Sequence, residues 1–220
     1  MCFEKAYKAV LFDMDGVLVD SENVITKAAI LGLREFGVDA AAEDFKPFTG
    51  MGEDRFIGGV AEKHGAAFVP EMKTRVYEIY LEIVADEIYV YSGTKPALEH
   101  LVRNGVKIAV ASSADMVKVR ANLAIAGIDM ASFATVLTGD DVKNKKPNPD
   151  IYLRAAANCG ESAADCLVVE DAVSGVVAAK RAGCACAAVM TSFDEKTLKE
   201  AGADYVIEDI GGLAALFEKG

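Results

Sequence analysis

The sequence lacks several features that mark other classes of protein. Its 220 residues contain only two histidines and five cysteines, and no CxxC pair occurs among them. An odd number of cysteines without such spacing favours buried reduced thiols over a disulfide framework. No stretch approaches the ~20 uninterrupted apolar residues that span a bilayer. The first residues have neither the basic start nor the apolar run of a secretory signal. These absences predict a cytoplasmic protein with no membrane partner.

Basic residues are also scarce, since 23 Lys and Arg stand against 34 Asp and Glu, a net charge of -11. Nucleic acids and anionic membranes are bound through basic surfaces, so no nucleic-acid partner is expected. The apolar fraction of 52% excludes an intrinsically disordered chain. The length predicts one large domain or one domain carrying an insert, and a monomer is the default expectation.

Short apolar runs alternate with helical patterns along most of the chain. We predict strands at 8–12, 106–111, 134–137, 166–170, 184–190 and 205–207. Solid apolar strands that alternate with helices are typical of a parallel sheet covered on both faces. The segment between the first two strands is helical, with helices predicted at 21–36, 43–46, 53–64 and 70–87. We therefore predict a doubly wound α/β core, residues 1–19 and 93–220, with an inserted all-helical cap domain, residues 20–92.

Polar side chains follow four of the predicted strands, where ligands bind in open α/β sheets. In chain order these are Asp13 and Asp15, Ser112 and Ser113, Lys145 and Lys146, and Glu170 and Asp171. Crowded carboxylates need a cation, and hard oxygen ligands favour Mg2+. The absence of clustered Cys and His argues against zinc. Hydroxyls, N–H groups and a lysine are donors for phosphate. The pattern predicts metal-assisted phosphoryl transfer.

Four motifs in this order resemble those of the haloacid dehalogenase (HAD) superfamily. They are Asp13-Met-Asp-Gly-Val17, Val110-Ala-Ser-Ser113, Lys146-Pro-Asn-Pro-Asp150 and Val169-Glu-Asp-Ala-Val-Ser-Gly175. The inserted helices resemble the cap of the subgroup that holds β-phosphoglucomutase, phosphoglycolate phosphatase and small sugar-phosphate phosphatases. The segments 44–60 and 110–115 also resemble the HAD domain attached to some chloroplast photoprotection proteins, a likeness that supplies no substrate.

The resemblance implies a role for each motif residue. Asp13 is the nucleophile that forms an aspartyl-phosphate, and Asp15 is the general acid/base. The metal ligands are the carboxylates of Asp13 and Asp171 and the main-chain carbonyl of Asp15, with Glu170 as a ligand or its partner. The phosphoryl oxygens are held by Ser112, Ser113 and Lys146. Because dehalogenases of the superfamily lack the second motif aspartate, Asp15 favours phosphate esters over halo acids.

The predicted cap supplies the substrate candidates and leaves the reaction type open. Gly50-Met-Gly-Glu-Asp54 resembles the specificity loop of such caps. The cap candidates are Gly50, Gly52, Glu53, Arg55 and Arg75, with Phe48 and Met51 as further pocket residues. The mutase has a phosphate-binding arginine where this chain has Glu53, and a histidine where it has Ile25. We therefore expect a phosphatase of a small phosphorylated metabolite. The alternatives are a β-phosphoglucomutase-type mutase and a non-catalytic binding module.

Overall fold

The computed structural model describes residues 6–217 and contains a six-stranded parallel sheet. The strands are β1 (Ala9–Phe12), β2 (Val19–Asp20), β3 (Tyr89–Val90), β4 (Lys107–Ala111), β5 (Thr135–Leu137), β6 (Cys166–Glu170), β7 (Ala185–Val189) and β8 (Tyr205–Ile207). The large sheet has the order β5-β4-β1-β6-β7-β8, and every neighbouring pair is parallel. The predicted α/β fold class is confirmed.

Helices cover both faces of the large sheet and follow the predicted alternation. They are α1 (Glu22–Glu35), α2 (Glu53–Lys63), α3 (Pro70–Glu87), α4 (Thr94–Arg103), α5 (Met116–Ile125), α6 (Asp150–Asn158), α7 (Val173–Ala182), α8 (Glu195–Glu200) and α9 (Leu213–Phe217). Strand side chains alternate between the faces. Val10 and Phe12 pack in the cluster with α4, α5 and α9, whereas Ala9 and Leu11 pack in the cluster with α6, α7 and α8.

The position of β1 explains why the first motif lies at the centre of the molecule. β1 pairs with β4 on one side and with β6 on the other. The next strands of the large sheet along the chain, β4 and β5, lie on one side of β1, and the later strands β6, β7 and β8 lie on the other side. This reversal of strand order opens a crevice at the carboxyl end of β1. Asp13 directly follows β1, and its N–H donates to the carbonyl oxygen of Val169 in β6 at 3.0 Å.

Helices α1, α2 and α3 share an apolar cluster of their own, which includes Leu33, Ile57 and Tyr80. Two short strands, β2 and β3, pair antiparallel at the two ends of this helical segment. They were not predicted from the sequence, because strands of two residues carry no periodicity. The predicted domain boundary at 19/20 falls within β2, that at 92/93 falls two residues after β3, and both stay a prediction.

Three other sequence expectations concern local structure. The helix expected at 43–46 is two 3-10 turns, Ala42–Asp44 and Lys46–Phe48, because Pro47 cannot donate the N–H that an α-helix requires. The four cysteines within residues 6–217 are free and buried, as expected. Among the described residues, no helix is both long and apolar enough to cross a membrane.

Candidate active site

A cavity of about 1050 Å³ lies at the carboxyl ends of β1, β4 and β6 and is lined on its other side by residues of the helical segment. Most of the predicted site residues line it. These are Asp13, Asp15, Ser112, Ser113, Lys146, Glu170 and Asp171 from the sheet and Gly50, Gly52 and Glu53 from the helical segment. We call the part around Asp13, Lys146, Glu170 and Asp171 the core end, and the part around Glu53 and Lys118 the cap end.

Lys146 connects the carboxylates of the core end. Its ammonium donates to Asp13 Oδ1 at 2.5 Å, to Glu170 Oε1 at 2.8 Å and to the carbonyl oxygen of Ala111 at 2.9 Å. All three donors of the ammonium group are thereby used. Burial opposes the charged form of Lys146, but the negative charges of Asp13 and Glu170 raise its pKa above the usual value. Lys146 is therefore held as a cation beside Asp13.

Glu170 is the most fully bonded carboxylate of the core end. Its Oε1 accepts from Lys146 and from the Tyr152 hydroxyl at 2.8 Å, and its Oε2 accepts from the N–H groups of Asp171 and Ala172, both at 3.0 Å. A carboxylate has about four acceptor sites, and all four are occupied here. Within the predicted metal set, the structure therefore presents Glu170 as the residue that holds Lys146, with no lone pair left for a metal.

Asp171 lies against a turn of the first motif, and that turn requires glycine. Gly16 has a φ of 75°, and a Cβ built there would lie 2.0 Å from Asp171 Oδ2. A side chain at position 16 would therefore be strained and would also collide with the carboxylate. The hydroxyl of Ser192 donates a short hydrogen bond to the same oxygen. Asp171 is thus fixed beside the loop that carries Asp13 and Asp15.

The core end carries more negative than positive charge in a buried setting. Burial raises the pKa of Asp13 to about 7, with the charge of Glu170 adding to the rise and Lys146 opposing it. Burial and the charges of Glu170 and Asp13 also raise the pKa of Asp171 well above its usual value. Carboxylates in this situation resist ionisation unless another cation approaches.

Asp15 is oriented by a chain of polar side chains that crosses the molecule. Ser21 donates a short hydrogen bond to Asp15 Oδ1, and Lys118 donates to Asp15 Oδ2 at 2.8 Å. Asn122 donates to Ser21 at 3.3 Å and accepts from Tyr80 of α3 at 2.5 Å. Ser21 precedes α1, as expected of an N-cap, but its hydroxyl makes no cap hydrogen bond and serves Asp15 instead.

The second motif places a hydroxyl and a turn opposite these acids. Ser112 directly follows β4, is buried, and accepts from the N–H of Ala114 at 3.1 Å. The carbonyl of Ser113 lies so close to Gly139 that a Cβ at position 139 would be 2.4 Å from it. The turn therefore brings Ser112 and Ser113 to the cavity wall, near Asp13.

The cap end contains a buried carboxylate with few partners. Glu53 begins α2, is 5% exposed, and lies with its Oε1 3.9 Å from Lys118 Nζ. Its Oε2 has no hydrogen-bond partner within residues 6–217. Burial raises the pKa of Glu53 to about 7, while the nearby charge of Lys118 opposes the rise. For Lys118, burial is outweighed by the charges of Asp15 and Glu53, which raise its pKa.

The two predicted cap arginines are not brought to the cavity. Arg55 pairs with Glu62 at 2.9 Å and lies over the ring of Phe48, 5.1 Å from its centroid. Arg75 pairs with Glu35 and Glu78 on the outer surface, both at 2.9 Å. Surface carboxylates satisfy both guanidinium groups, so neither is directed inward.

Phe48 and Met51, the further pocket candidates, do not line the cavity either. Phe48 packs against Gly59 of α2, where a Cβ would be 2.6 Å from its ring, and Met51 is 50% exposed. The loop that carries them faces the cavity with Thr49, Gly50 and Gly52 instead. These side-chain directions correct the sequence expectation.

Two groups of cavity residues were not predicted from the sequence. Lys118 and Asn122 are buried polar residues four positions apart on α5, beside the apolar pair Val119 and Leu123. In a helical projection of residues 116–125 they lie next to the stripe of apolar side chains that faces the core. This spacing is the sequence signal from which their burial could have been predicted. Ser192 lies shortly after β7, and no site residue was predicted at the carboxyl end of that strand. The same rule that found Asp13 applies to it.

The donor set of the core end fits a small hard cation. No group of three or more His, Cys, Asp or Glu side chains within residues 6–217 is arranged to hold a metal. Mg2+ does not require one, because it keeps several waters and is bound through one or two carboxylates together with substrate phosphate. Asp13 and Asp171 are two such carboxylates, and their raised pKa values reflect a negative charge that a divalent cation would offset.

Three comparisons place the chain among known proteins. SUPPRESSOR OF QUENCHING 1, chloroplastic, from Arabidopsis thaliana is 43% identical over 210 residues, which cover 94% of this chain and 20% of that protein. The chain therefore spans about a fifth of the length of this relative. Phosphorylated carbohydrates phosphatase from Thermotoga maritima is 33% identical, covering 91% of this chain and 94% of that protein. CbbY from Rhodobacter sphaeroides, solved in complex with phosphate, has a TM-score of 0.83 at 27% identity, covering 94% and 96% of the two chains.

A family model described as haloacid dehalogenase-like hydrolase matches residues 7–183, which include all four motifs. The match also includes every core-end residue and both members of the cap-end pair. The resemblance read from the motifs and the predicted hydrolase class are thereby confirmed. The chain belongs to the haloacid dehalogenase-like hydrolases.

Proposed function

We propose that the chain is a Mg2+-dependent phosphatase of small phosphorylated metabolites that works through an aspartyl-phosphate on Asp13. The observation that carries the proposal is the junction of Asp13, Asp15, Lys146 and Asp171 at one cavity. Asp13 and Asp15 follow β1, Asp171 follows β6, and Lys146 lies in the loop before α6. They match nucleophile, acid/base, metal-binding and phosphate-binding roles in that order. The named phosphatase among the relatives and the phosphate-bound CbbY structure support the same chemistry.

Asp13 attacks the phosphorus atom with a carboxylate oxygen, and the bond from phosphorus to the ester oxygen breaks. An ionised carboxylate needs no base, so catalysis depends on its position and on charge neutralisation. Lys146 holds Asp13 Oδ1 at 2.5 Å and brings a positive charge to the phosphoryl oxygens. Ser112 and the N–H of Ser113 supply further donors to these oxygens.

Asp15 completes both halves of the reaction as acid and then base. It protonates the departing alkoxide and afterwards takes a proton from the water that hydrolyses the aspartyl-phosphate. Ser21 and Lys118 fix both of its oxygens, so its direction is set before substrate arrives. Such prior orientation lowers the entropic cost of the proton transfers.

The proposed Mg2+ would be held by Asp13, Asp171 and the main-chain carbonyl of Asp15. When bound, it would neutralise phosphoryl charge and offset the mutual repulsion of the two carboxylates. Glu170 contributes by holding Lys146, and Ser192 by holding Asp171. The helical segment covers the cavity and would limit the access of water during the first step.

The test is phosphate release by the purified chain from a panel of phosphorylated metabolites, with Mg2+ and with EDTA. We expect release with Mg2+ and its loss with EDTA, together with a mass increase of one phosphoryl group on the Asp13 peptide after rapid acid quenching. Metal-independent release, or phosphorylation of another residue, would contradict the mechanism.

The same panel includes β-glucose 1-phosphate with a trace of the 1,6-bisphosphate, because the mutase is the alternative reaction. A bisphosphate needs a cation that is free to meet its second phosphate, whereas Lys118 at the cap end already donates to Asp15 and faces Glu53, and Arg55 and Arg75 are directed away. We therefore expect phosphate release without glucose 6-phosphate. Isomerisation without release would favour the mutase. Failure on every ester would favour the non-catalytic binding module.

A further inference from the structure

The cap end holds two buried side chains of opposite charge whose hydrogen-bonding capacity is only partly used. Lys118 is 4% exposed and Glu53 is 5% exposed, and both line the cavity. The 3.9 Å between Lys118 Nζ and Glu53 Oε1 is too long for a direct hydrogen bond. Glu53 Oε2 is without a partner in the described chain. The pair is therefore incomplete without a further group.

The chemistry of the missing group follows from what the two side chains offer. An ammonium has three donors and a carboxylate about four acceptor sites, and a buried group left without partners is costly. One oxygen atom can contact both groups at ordinary hydrogen-bond distance across this gap. A hydroxyl both accepts from Lys118 and donates to Glu53. An alkyl group does neither, and a carboxylate or phosphate only accepts.

Electrostatics also favours a hydroxyl over an anionic group at the cap end. Lys118 lies between two carboxylates, donating to Asp15 at 2.8 Å and facing Glu53. These three side chains together carry one more negative than positive charge when ionised. A ligand carboxylate or second phosphate would therefore meet net repulsion in a buried setting, where it is weakly screened.

The position of the pair also indicates which part of a substrate it meets. Lys118 contacts Asp15, the residue proposed to protonate the ester oxygen. A group held between Lys118 and Glu53 is therefore only a few bonds from that oxygen. This places the contact on the leaving group, close to the ester, and away from the phosphoryl group held at the core end.

We propose that Glu53 and Lys118 form a subsite for a hydroxyl group on the carbon next to the ester carbon. This subsite selects polyol and sugar monophosphates over esters that carry a carboxylate or a second phosphate at that place. This specificity rests on the proposed phosphatase function, because it assigns Asp15 to the ester oxygen. Glu53 and Lys118 are then specificity-determining residues.

Three two-carbon esters test the subsite with a minimal difference between them. 2-Hydroxyethyl phosphate, ethyl phosphate and 2-phosphoglycolate carry a hydroxymethyl, a methyl and a carboxylate group at the same place. We expect the kcat/KM of the hydroxyethyl ester to exceed that of each other ester by about tenfold or more, as for a site built to hydrogen-bond a hydroxyl. An aryl phosphate serves as a general phosphatase substrate in the same assay.

Two variants separate hydrogen bonding from charge. Glu53→Gln keeps an acceptor and removes the charge, so it should raise the relative kcat/KM for 2-phosphoglycolate by about tenfold while the hydroxyethyl-to-ethyl ratio falls less. Glu53→Met removes both, so both ratios should move towards one. Glu62→Gln is the control, because Glu62 lies on the same helix, is exposed and pairs with Arg55. Its ratios should equal those of the wild type.

Each outcome decides between the subsite and the underlying function. Equal kcat/KM for the three esters, a preference for 2-phosphoglycolate, or release from the aryl ester alone overturns the subsite and leaves the phosphatase in place. No release from any of the four esters overturns the phosphatase itself. If Glu53→Met is unfolded by circular dichroism, the wild-type ratios and Glu53→Gln still decide the matter.

Discussion

The core end and the cap end of the cavity are built in different ways. At the core end, Lys146 uses all three of its donors and Glu170 all four of its acceptor sites. At the cap end, Glu53 has an oxygen that receives no hydrogen bond from the described part of the chain, and its other oxygen lies 3.9 Å from Lys118 Nζ. A saturated network is rigid and specifies one geometry. An unsaturated one gains its remaining bonds from a ligand.

This contrast divides the work of the site. The core end must treat every phosphate ester alike, so its groups are fixed on strand ends that a parallel sheet brings together. The cap end must distinguish leaving groups, so its groups are completed by the substrate. The proposed phosphatase with a selective cap requires fixed charges at the core end and unused hydrogen-bonding groups at the cap end.

The largest expected effect comes from removing the proposed nucleophile at the core end. Asp13→Asn should lower kcat by about 10⁴-fold or more, because loss of a nucleophile removes the covalent route. Circular dichroism should show the wild-type fold, since asparagine has the same shape and removes a buried charge. Asp39→Asn is the control, because Asp39 is exposed and remote from the cavity. Turnover by Asp13→Asn within tenfold of the wild type would sink the assignment.

The next effect concerns the saturated network itself. Lys146→Met leaves Asp13 and Glu170 buried without their cation, which should lower the free energy of unfolding by about 3–5 kcal/mol. Urea denaturation of the metal-free protein measures this. Lys143→Met changes an exposed lysine of the same loop and should stay within about 0.5 kcal/mol of the wild type. Equal stability of both variants would mean that the core end is not held by Lys146.

The same contrast explains what the sequence could and could not predict. Asp13, Ser112 and Asp171 directly follow buried strands, and parallel topology alone places such residues at one edge. The cap end depends on which way a helix turns its side chains. The sequence around Asp54 and Arg55 carries no signal that says which side chain faces the cavity. In the structure, Arg55 forms an ion pair with the exposed carboxylate of Glu62 and is directed away from the cavity.

Lys118 shows the intermediate case. Its place on the inward side of α5 could be read from helical spacing, but its partners Asp15 and Glu53 come from distant parts of the chain. Pairing between remote residues is set by tertiary packing, which one sequence does not reveal. The two-residue strands β2 and β3 were missed for a related reason, since only their mutual pairing defines them.

A third prediction uses pH to separate the two ends. The pKa of Asp13 and that of Glu53 are both raised to about 7 by burial, against ordinary values of 3.8 and 4.5. Between pH ~4 and ~7 the folded protein therefore holds protons that the unfolded chain has lost, so stability falls as pH rises through this window. Mg2+ at the core end should offset the part due to Asp13 and to Asp171, whose pKa is also raised, and leave the part due to Glu53.

Thermal melts at pH 5.5 and pH 8 measure this separation. We expect Mg2+ to raise Tm by about 5 °C at pH 8 and by much less at pH 5.5. Glu53→Gln should then remove most of the pH dependence that persists in Mg2+. An equal Mg2+ effect at both pH values would show that the cation does not meet the ionised carboxylates of the core end.

The smallest expected effect tests whether the cap arginines take part at all. Arg75 pairs with two half-exposed carboxylates, Glu35 and Glu78, and Arg55 pairs with exposed Glu62. Exposed ion pairs contribute about 0–1 kcal/mol, and neither arginine lines the cavity. Arg75→Ala and Arg55→Ala should therefore change kcat/KM for any phosphate ester by less than about twofold and stability by at most about 1 kcal/mol. A tenfold rise in KM for either variant would mean that the cap rearranges on binding and brings an arginine inward. The cap end would then be completed by a second cation of the protein beside Lys118, and the division between a saturated core end and an open cap end would hold only for the protein without substrate.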